Sequence, residues 1–206
     1  MNLLICGDSF AADWTVKYLG QGWPNMLTQH FTVKNLAQAG CSEYKILKQL
    51  ESVNLNKFDK IIISHTSPYR VYVERHPVHH TDPLHKHCDL IYSDIKAHSI
   101  NDRSLLPIVE YFEKYFDLEH AKYMHTLICK NIQELLPVDN KVLHISNSDW
   151  KELYQFPNMV NFYHLFKTNP GTMNHFDDAG NQFVYKQILD YFMVPGHGFE
   201  PRTFAV

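Results

Sequence analysis

Gly7-Asp8-Ser9-Phe10 sets a serine hydroxyl directly behind the apolar run Leu3-Leu4-Ile5-Cys6. A short apolar run stopped by Gly-Asp reads as a strand buried on both faces that gives way to a loop. The bland alternative is a turn in which Asp8 or Ser9 caps the next helix. Far along the chain, Asn174-His175-Phe176-Asp177 stands before an amphipathic stretch. An imidazole, with an unperturbed pKa near ~6.5, can take a proton from a hydroxyl and return it to a leaving group. Between them, Asn35-Leu36-Ala37-Gln38-Ala39-Gly40-Cys41-Ser42 follows a second strand. Its glycine lets a backbone N–H approach a bound group with no side chain in the way. Ser64-His65-Thr66-Ser67-Pro68-Tyr69-Arg70 adds two hydroxyls and a guanidinium behind a third strand.

The elements that must hold these groups can be read from the apolar pattern. Residues 3–6, Phe31-Thr32-Val33, Ile61-Ile62-Ile63 and residues 142–146 read as strands, and the isoleucine run as a central one. Between Trp14 and His30, glycines and Pro24 break the pattern into helical pieces. A helix opens at Ser42-Glu43, a helical pattern runs from Leu105 to Leu136, and a last helix covers Asp177 to Phe192. Residues 68–104 lack clean periodicity and read as a lid insertion in one 206-residue domain. Strand and helix alternate, which fits right-handed crossovers and a parallel sheet covered on both faces. In such sheets ligands sit at the carboxyl ends of the strands, where Ser9, Gly40 and Thr66 all fall.

Composition narrows the function classes. With 45% hydrophobic and 20% charged residues the chain is of the ordinary globular kind. A net charge of -3 offers no broad attraction for nucleic acid or anionic lipid, so neither partner is expected. No basic segment leads into a long apolar stretch, and no apolar run approaches the roughly 18 residues of a membrane span. Cys6, Cys41, Cys88 and Cys129 show no C-x-x-C spacing and read as free buried thiols, so a cytoplasmic, reducing setting is expected. His76, His79, His80, His85, His87 and Cys88 invite a zinc reading. Neighbours in an extended segment point to opposite faces, however, and no paired ligand motif follows, so no metal is expected. Tyr69, Tyr72, Tyr92, Tyr111 and Tyr115 could face a sugar, but aromatic residues at helical spacing more often fill cores.

Taken together, the Ser9 block, the Asn35 to Ser42 block and the five-residue interval from His175 to Gly180 resemble the SGNH, or GDSL-like, hydrolases. The resemblance covers residues 3–67 and 172–192, while 68–171 match only in the order of elements. It implies a three-layer α/β/α sandwich around a central parallel sheet of flavodoxin-like topology. It also implies a serine esterase acting on acetyl or short acyl esters, carbohydrate esters included, with no cofactor. Ser9 would then be the nucleophile and His175 its base. The amides of Ser9 and Gly40 would hold the oxyanion, and Asp8 and Arg70 would contact substrate.

Two departures qualify this resemblance. Thr172 stands where the family usually has Asp, and loss of that acid from such sites can cost roughly 10⁴ in kcat. A backbone carbonyl, Asn174 or an acid from elsewhere orients His175, or the pair works as a dyad, or activity is lost. The third block lacks its usual Asn, a donor worth ~3 kcal/mol of transition-state stabilisation, which leaves Thr66, Ser67 or Arg70 as substitutes. The alternative is an inactive SGNH-fold protein with a carbohydrate-binding or structural role.

Overall fold

Continuous apolar character makes Asn2–Gly7 the first strand, β1, of the computed structural model, which describes residues 1–16, 22–137, 141–147, 154–171 and 175–193. Two further strands flank it: Thr32–Asn35 (β2) on one side and Lys60–Ser64 (β3) on the other, followed outward by Val142–Ser146 (β4) and Met159–Asn161 (β5). All four neighbouring pairs are parallel, and the five-stranded order is β2-β1-β3-β4-β5. The chain leaves β1 toward one edge and returns to build the other, so the crevice where the direction reverses lies between the ends of β1 and β3.

The helices cover both faces because alternate strand residues point to opposite sides and both sets are apolar. Leu3 and Ile5 pack with Trp23, Leu27, Val184 and Ile188 beneath Trp23–Met26 (α1) and Asp178–Met193 (α7). Leu4 and Cys6 pack with Ile46, Leu50, Cys129 and Ile132 beneath Glu43–Glu51 (α2) and Leu118–Leu135 (α5). The result is the expected three-layer α/β/α arrangement. All four cysteines are free and buried. Among the described residues no helix is long and apolar enough to cross a membrane.

Three regions differ from the sequence expectation. The pattern from Leu105 to Leu136 is two helices, Leu106–Lys114 (α4) and α5, parted where Asp117 accepts the His120 amide at 2.9 Å. Residues 68–104 contain the helix Tyr92–Ser99 (α3) and a bridge between Val71 and Leu90. Leu90 and Ile95 form a small core there with Leu105 and Val109. Strand β5 and the short helix Leu165–Thr168 (α6) follow in a stretch that had read as loop.

Candidate active site

The turn after β1 begins at Gly7, whose φ of +152° and whose Cα, pressed against Ser64, leave no room for a Cβ; one would sit 2.7 Å from the Ser64 Cβ. The buried Gln49 of α2 clamps this peptide: its Oε1 accepts the Gly7 N–H at 2.8 Å and its Nε2 donates to the Gly7 carbonyl at 3.2 Å. Asp8 is 1% exposed. One of its oxygens accepts from the Phe10 amide at 3.1 Å and the Ser64 hydroxyl at 3.3 Å, the other from Arg70 at 3.3 Å. Arg70 also donates to the Cys41 carbonyl at 2.6 Å. The pair expected to contact substrate therefore ties together the turns behind β1, β2 and β3.

Ser9 and Gly40 lie on two of these turns. Both are buried, and among the described residues neither backbone N–H has a hydrogen-bond acceptor. Buried amides are nearly always paired, so two unsatisfied donors beside the β1–β3 crevice are chemically notable. Gly40 has φ +74°, and a Cβ there would lie 2.6 Å from the Cys88 Cβ. Gly40→Ala should therefore lower stability by about 1–3 kcal/mol through backbone strain and add an overlap with Cys88. Thermal unfolding checks this. Cys88→Ala should not rescue the variant, because the clashing atom is the Cβ that alanine keeps; full rescue would show that the overlap is not what destabilises it.

His175 is brought to the same region by its local fold. The Gly171 N–H donates to the His175 carbonyl at 2.7 Å and Pro170 bridges Phe176, folding the chain back on itself just before α7. Asp177 caps that helix by accepting the Gly180 amide at 2.7 Å. Gly180 has no space for a side chain, since a Cβ would meet the Phe176 Cβ at 2.8 Å, so the interval from His175 to Gly180 has a packing reason. The His175 ring lies between Phe10 and Trp14, with centroids 4.8 Å and 4.3 Å away. The Trp14 indole N–H in turn donates to the Ser9 carbonyl at 2.6 Å. Ser9 and His175 thus share two neighbours, although no hydrogen bond joins them to one another. Thr172 and Asn174 lie outside the described residues.

No family model matches the chain, and no curated protein does. Among solved structures it is similar to a catalytic mutant of an acetylxylan esterase from Geobacillus stearothermophilus. The two are 12% identical over 94% of each chain, with a TM-score of 0.45.

Of the expected oxyanion substitutes, Thr66 has a buried hydroxyl with no hydrogen-bond partner among the described residues, whereas the Ser67 hydroxyl accepts from the Tyr69 amide at 3.1 Å. The turn they occupy is held by a buried network that the sequence did not announce. Glu43, 2% exposed at the start of α2, accepts from His65 at 2.7 Å and from the Thr66 amide at 3.1 Å. His65 continues to His144 at 2.8 Å. His125 donates to the Thr66 carbonyl at 3.0 Å and lies 3.5 Å from Glu43.

Burial alone would raise the Glu43 pKa, but the charge of His65 and hydrogen bonds from His125 and His65 hold it far below the carboxylate range. Burial would lower that of His125, but its bond to Glu43, the Glu43 charge and the Thr66 carbonyl raise it. Burial, reinforced by His65, pushes His144 well down. Below pH ~6.5 the unfolded His144 takes a proton that the native state refuses, so stability falls with pH, and below ~4.3 the unfolded Glu43 takes a proton that the native carboxylate refuses, which adds to the fall. Above pH ~6.5 the contribution of His125 fades as pH rises through its raised pKa. Denaturant unfolding across pH 5–9 should show a maximum near neutrality; a steady rise to pH 9 would contradict the assignment of His125.

An open cavity of ≈ 280 Å³ lies beside this turn, lined by Ser42, Glu43, Ser67 and Arg70 and by Tyr44, Tyr72, Tyr111 and Tyr115. Three of the five tyrosines singled out in the sequence meet here, while the Tyr92 hydroxyl donates to Glu113 at 2.6 Å at an exposed site.

Proposed function

We propose that the chain hydrolyses acetyl or short acyl esters, carbohydrate esters included, with Ser9 as nucleophile and His175 as general base. The observation that carries this reading is that Ser9 and Gly40 are both buried and that neither backbone N–H has an acceptor among the described residues. Ser9 Oγ attacks the ester carbonyl as His175 takes its proton, and the oxyanion is received by the two amides, with the Thr66 hydroxyl as a third donor. Collapse expels the alcohol, which takes the proton from His175, and water repeats the sequence on the acyl-enzyme. The missing contact between Ser9 and His175 is compatible with this, since catalytic hydrogen bonds of free enzymes often tighten only on binding. The cavity beside Arg70 has an aromatic lining of the kind a sugar meets, and Ser9, Gly40 and His175 are not among the residues that line it.

Residues 68–104 form the lid of a single-domain enzyme in this reading, which is supported by the contact of Cys88 on Gly40 and of His85 on Trp14 at 6.2 Å. The four free thiols fit a cytoplasmic setting. A non-catalytic carbohydrate-binding or structural protein is the second reading, favoured by the absence of a hydrogen bond between Ser9 and His175. Hydrolysis of a short-chain p-nitrophenyl ester separates the two. Wild type should turn over and folded Ser9→Ala should not; an inert wild type would favour the second reading.

A further inference from the structure

The open cavity beside Arg70 is built by two helix faces. Tyr111 and Tyr115 recur at helical spacing on α4 and its C-cap, and Asp117, Ala121, Met124 and Ile128 do so along α5 and its N-cap, so each set shares a face. The break between the helices at Asp117 lets both faces line one volume of ≈ 280 Å³, at the small end of ligand sites, which run from ~300 Å³ upward. Its rings are displayed rather than packed away. Tyr72 is 48% exposed and Tyr111 41%, yet each is braced edge-on by another ring of the lining, Tyr72 by Tyr44 at 5.0 Å and Tyr111 by Phe116 at 6.3 Å. Clustered exposed apolar surface marks ligand or partner sites, and side chains already held in place lose little freedom when a ligand arrives.

The charges of the lining select against an ion. Arg70 is paired with Asp8 at 3.3 Å and Glu43 with His65 at 2.7 Å, so both buried charges are already matched, while the exposed Asp117 caps α5. Hydrogen-bonding groups are in supply instead. Arg70 is fixed by bonds to Asp8 and to the Cys41 carbonyl, which leaves other N–H groups of its rigid fork to spare. Ser42, the N-cap of α2, makes no side-chain cap, and its hydroxyl has no hydrogen-bond partner among the described residues. A ligand with apolar faces to lay on rings, hydroxyls along its edge and no charge is a pyranose. We propose that this cavity binds a neutral sugar ring of a glycan and holds it without chemical change. Because Ser9, Gly40 and His175 do not line it, this glycan site is separate from the ester site proposed above. Arg70 links the two, since it lines the cavity and also anchors Asp8, the residue before Ser9.

The test titrates the purified full chain with unesterified cellohexaose, xylohexaose, chitohexaose and maltohexaose. At least one should bind, once per chain, with Kd below ~1 mM, and the ring resonances of Tyr72 and Tyr111 in wild type should shift along the same titration curve. Tyr72→Ala and Tyr111→Ala, both at exposed positions and checked for folding by thermal unfolding, should each weaken that binding about tenfold, the size of a lost ring contact. Tyr123→Ala, which removes an exposed ring of α5 outside the cavity, should leave it unchanged, and neither tetramethylammonium nor glucuronate should displace the sugar. Failure of all four sugars to bind below ~1 mM, binding that leaves both ring resonances unmoved, or displacement by either ion overturns the proposal. Because the probes carry no ester and binding alone is read, the result stands apart from whether Ser9 is catalytic.

Discussion

Ser9→Ala should lower ester hydrolysis by ~10³-fold or more, His175→Ala by a similar factor, and the double variant by no more than either. The reason is that both residues serve one step. Without the imidazole the Ser9 hydroxyl has no acceptor for its proton, and without the hydroxyl the imidazole has nothing to activate. The basis for treating them as a unit is that His175 packs on Phe10, the residue after Ser9, and on Trp14, whose indole N–H donates to the Ser9 carbonyl. A fluorophosphonate should label wild type at Ser9, label His175→Ala much more slowly and leave Ser9→Ala unlabelled. Thr172 at the usual acid position makes slow labelling of wild type expected. Losses that multiply in the double variant would show two independent roles, and esterase activity in folded Ser9→Ala would remove the serine from the mechanism.

The layered fold was legible because strands of a sheet covered on both faces are written as unbroken apolar runs. Residues 3–6, 61–63 and 142–146 stand out for that reason, and all three are buried in β1, β3 and β4. Strand β5 has only three residues and lies at the sheet edge, half buried, too short for any period to show. Helix α3 buries only Ile95 and Ser99, so it has no apolar stripe to read. The break between α4 and α5 contains neither glycine nor proline; it comes from a single capping aspartate, Asp117, which looks like any other surface acid in the sequence.

For the site, the turns behind the strands were legible and their fastenings were not. The turns that carry Ser9, Gly40 and Thr66 lie on one side of the sheet because each follows a strand of a parallel sheet, which is a property of topology. Asp8 and Arg70 are 62 residues apart, and Gln49 is 42 from Gly7, so no local spacing could have paired them. The same holds for Asp89, which accepts the Ser42 amide at 2.7 Å and the Lys45 ammonium at 2.7 Å. Through it the segment 68–104 is bound to the start of α2, more firmly than an excursion lacking periodicity would suggest. Glu43 could have been flagged only by its place directly after Ser42 at a helix start, where an acid is favoured on the surface as well.

Glu43→Ala should be among the most destabilising single substitutions in the chain, lowering unfolding free energy by about 3–5 kcal/mol. Removing one partner of a buried charged network leaves the others desolvated and unpaired, and that penalty exceeds the modest net worth of the intact network. Here the Thr66 amide and His65 Nδ1 would both lose their acceptor at buried positions. For a chain of this size the midpoint should fall by roughly 6–20 °C. Glu43→Gln, which keeps the volume and one acceptor, should lose less. The charge is also what raises His125, so in either variant the decline in stability above pH ~6.5 should flatten. The decline below that pH should remain, because it belongs to His144 and is caused first by burial. Thermal unfolding of the three proteins at pH 6, 7 and 8 makes the comparison. A Glu43→Ala midpoint within a degree or two of wild type would mean that the network is solvated in solution, and an unchanged alkaline limb would mean that His125 does not depend on Glu43.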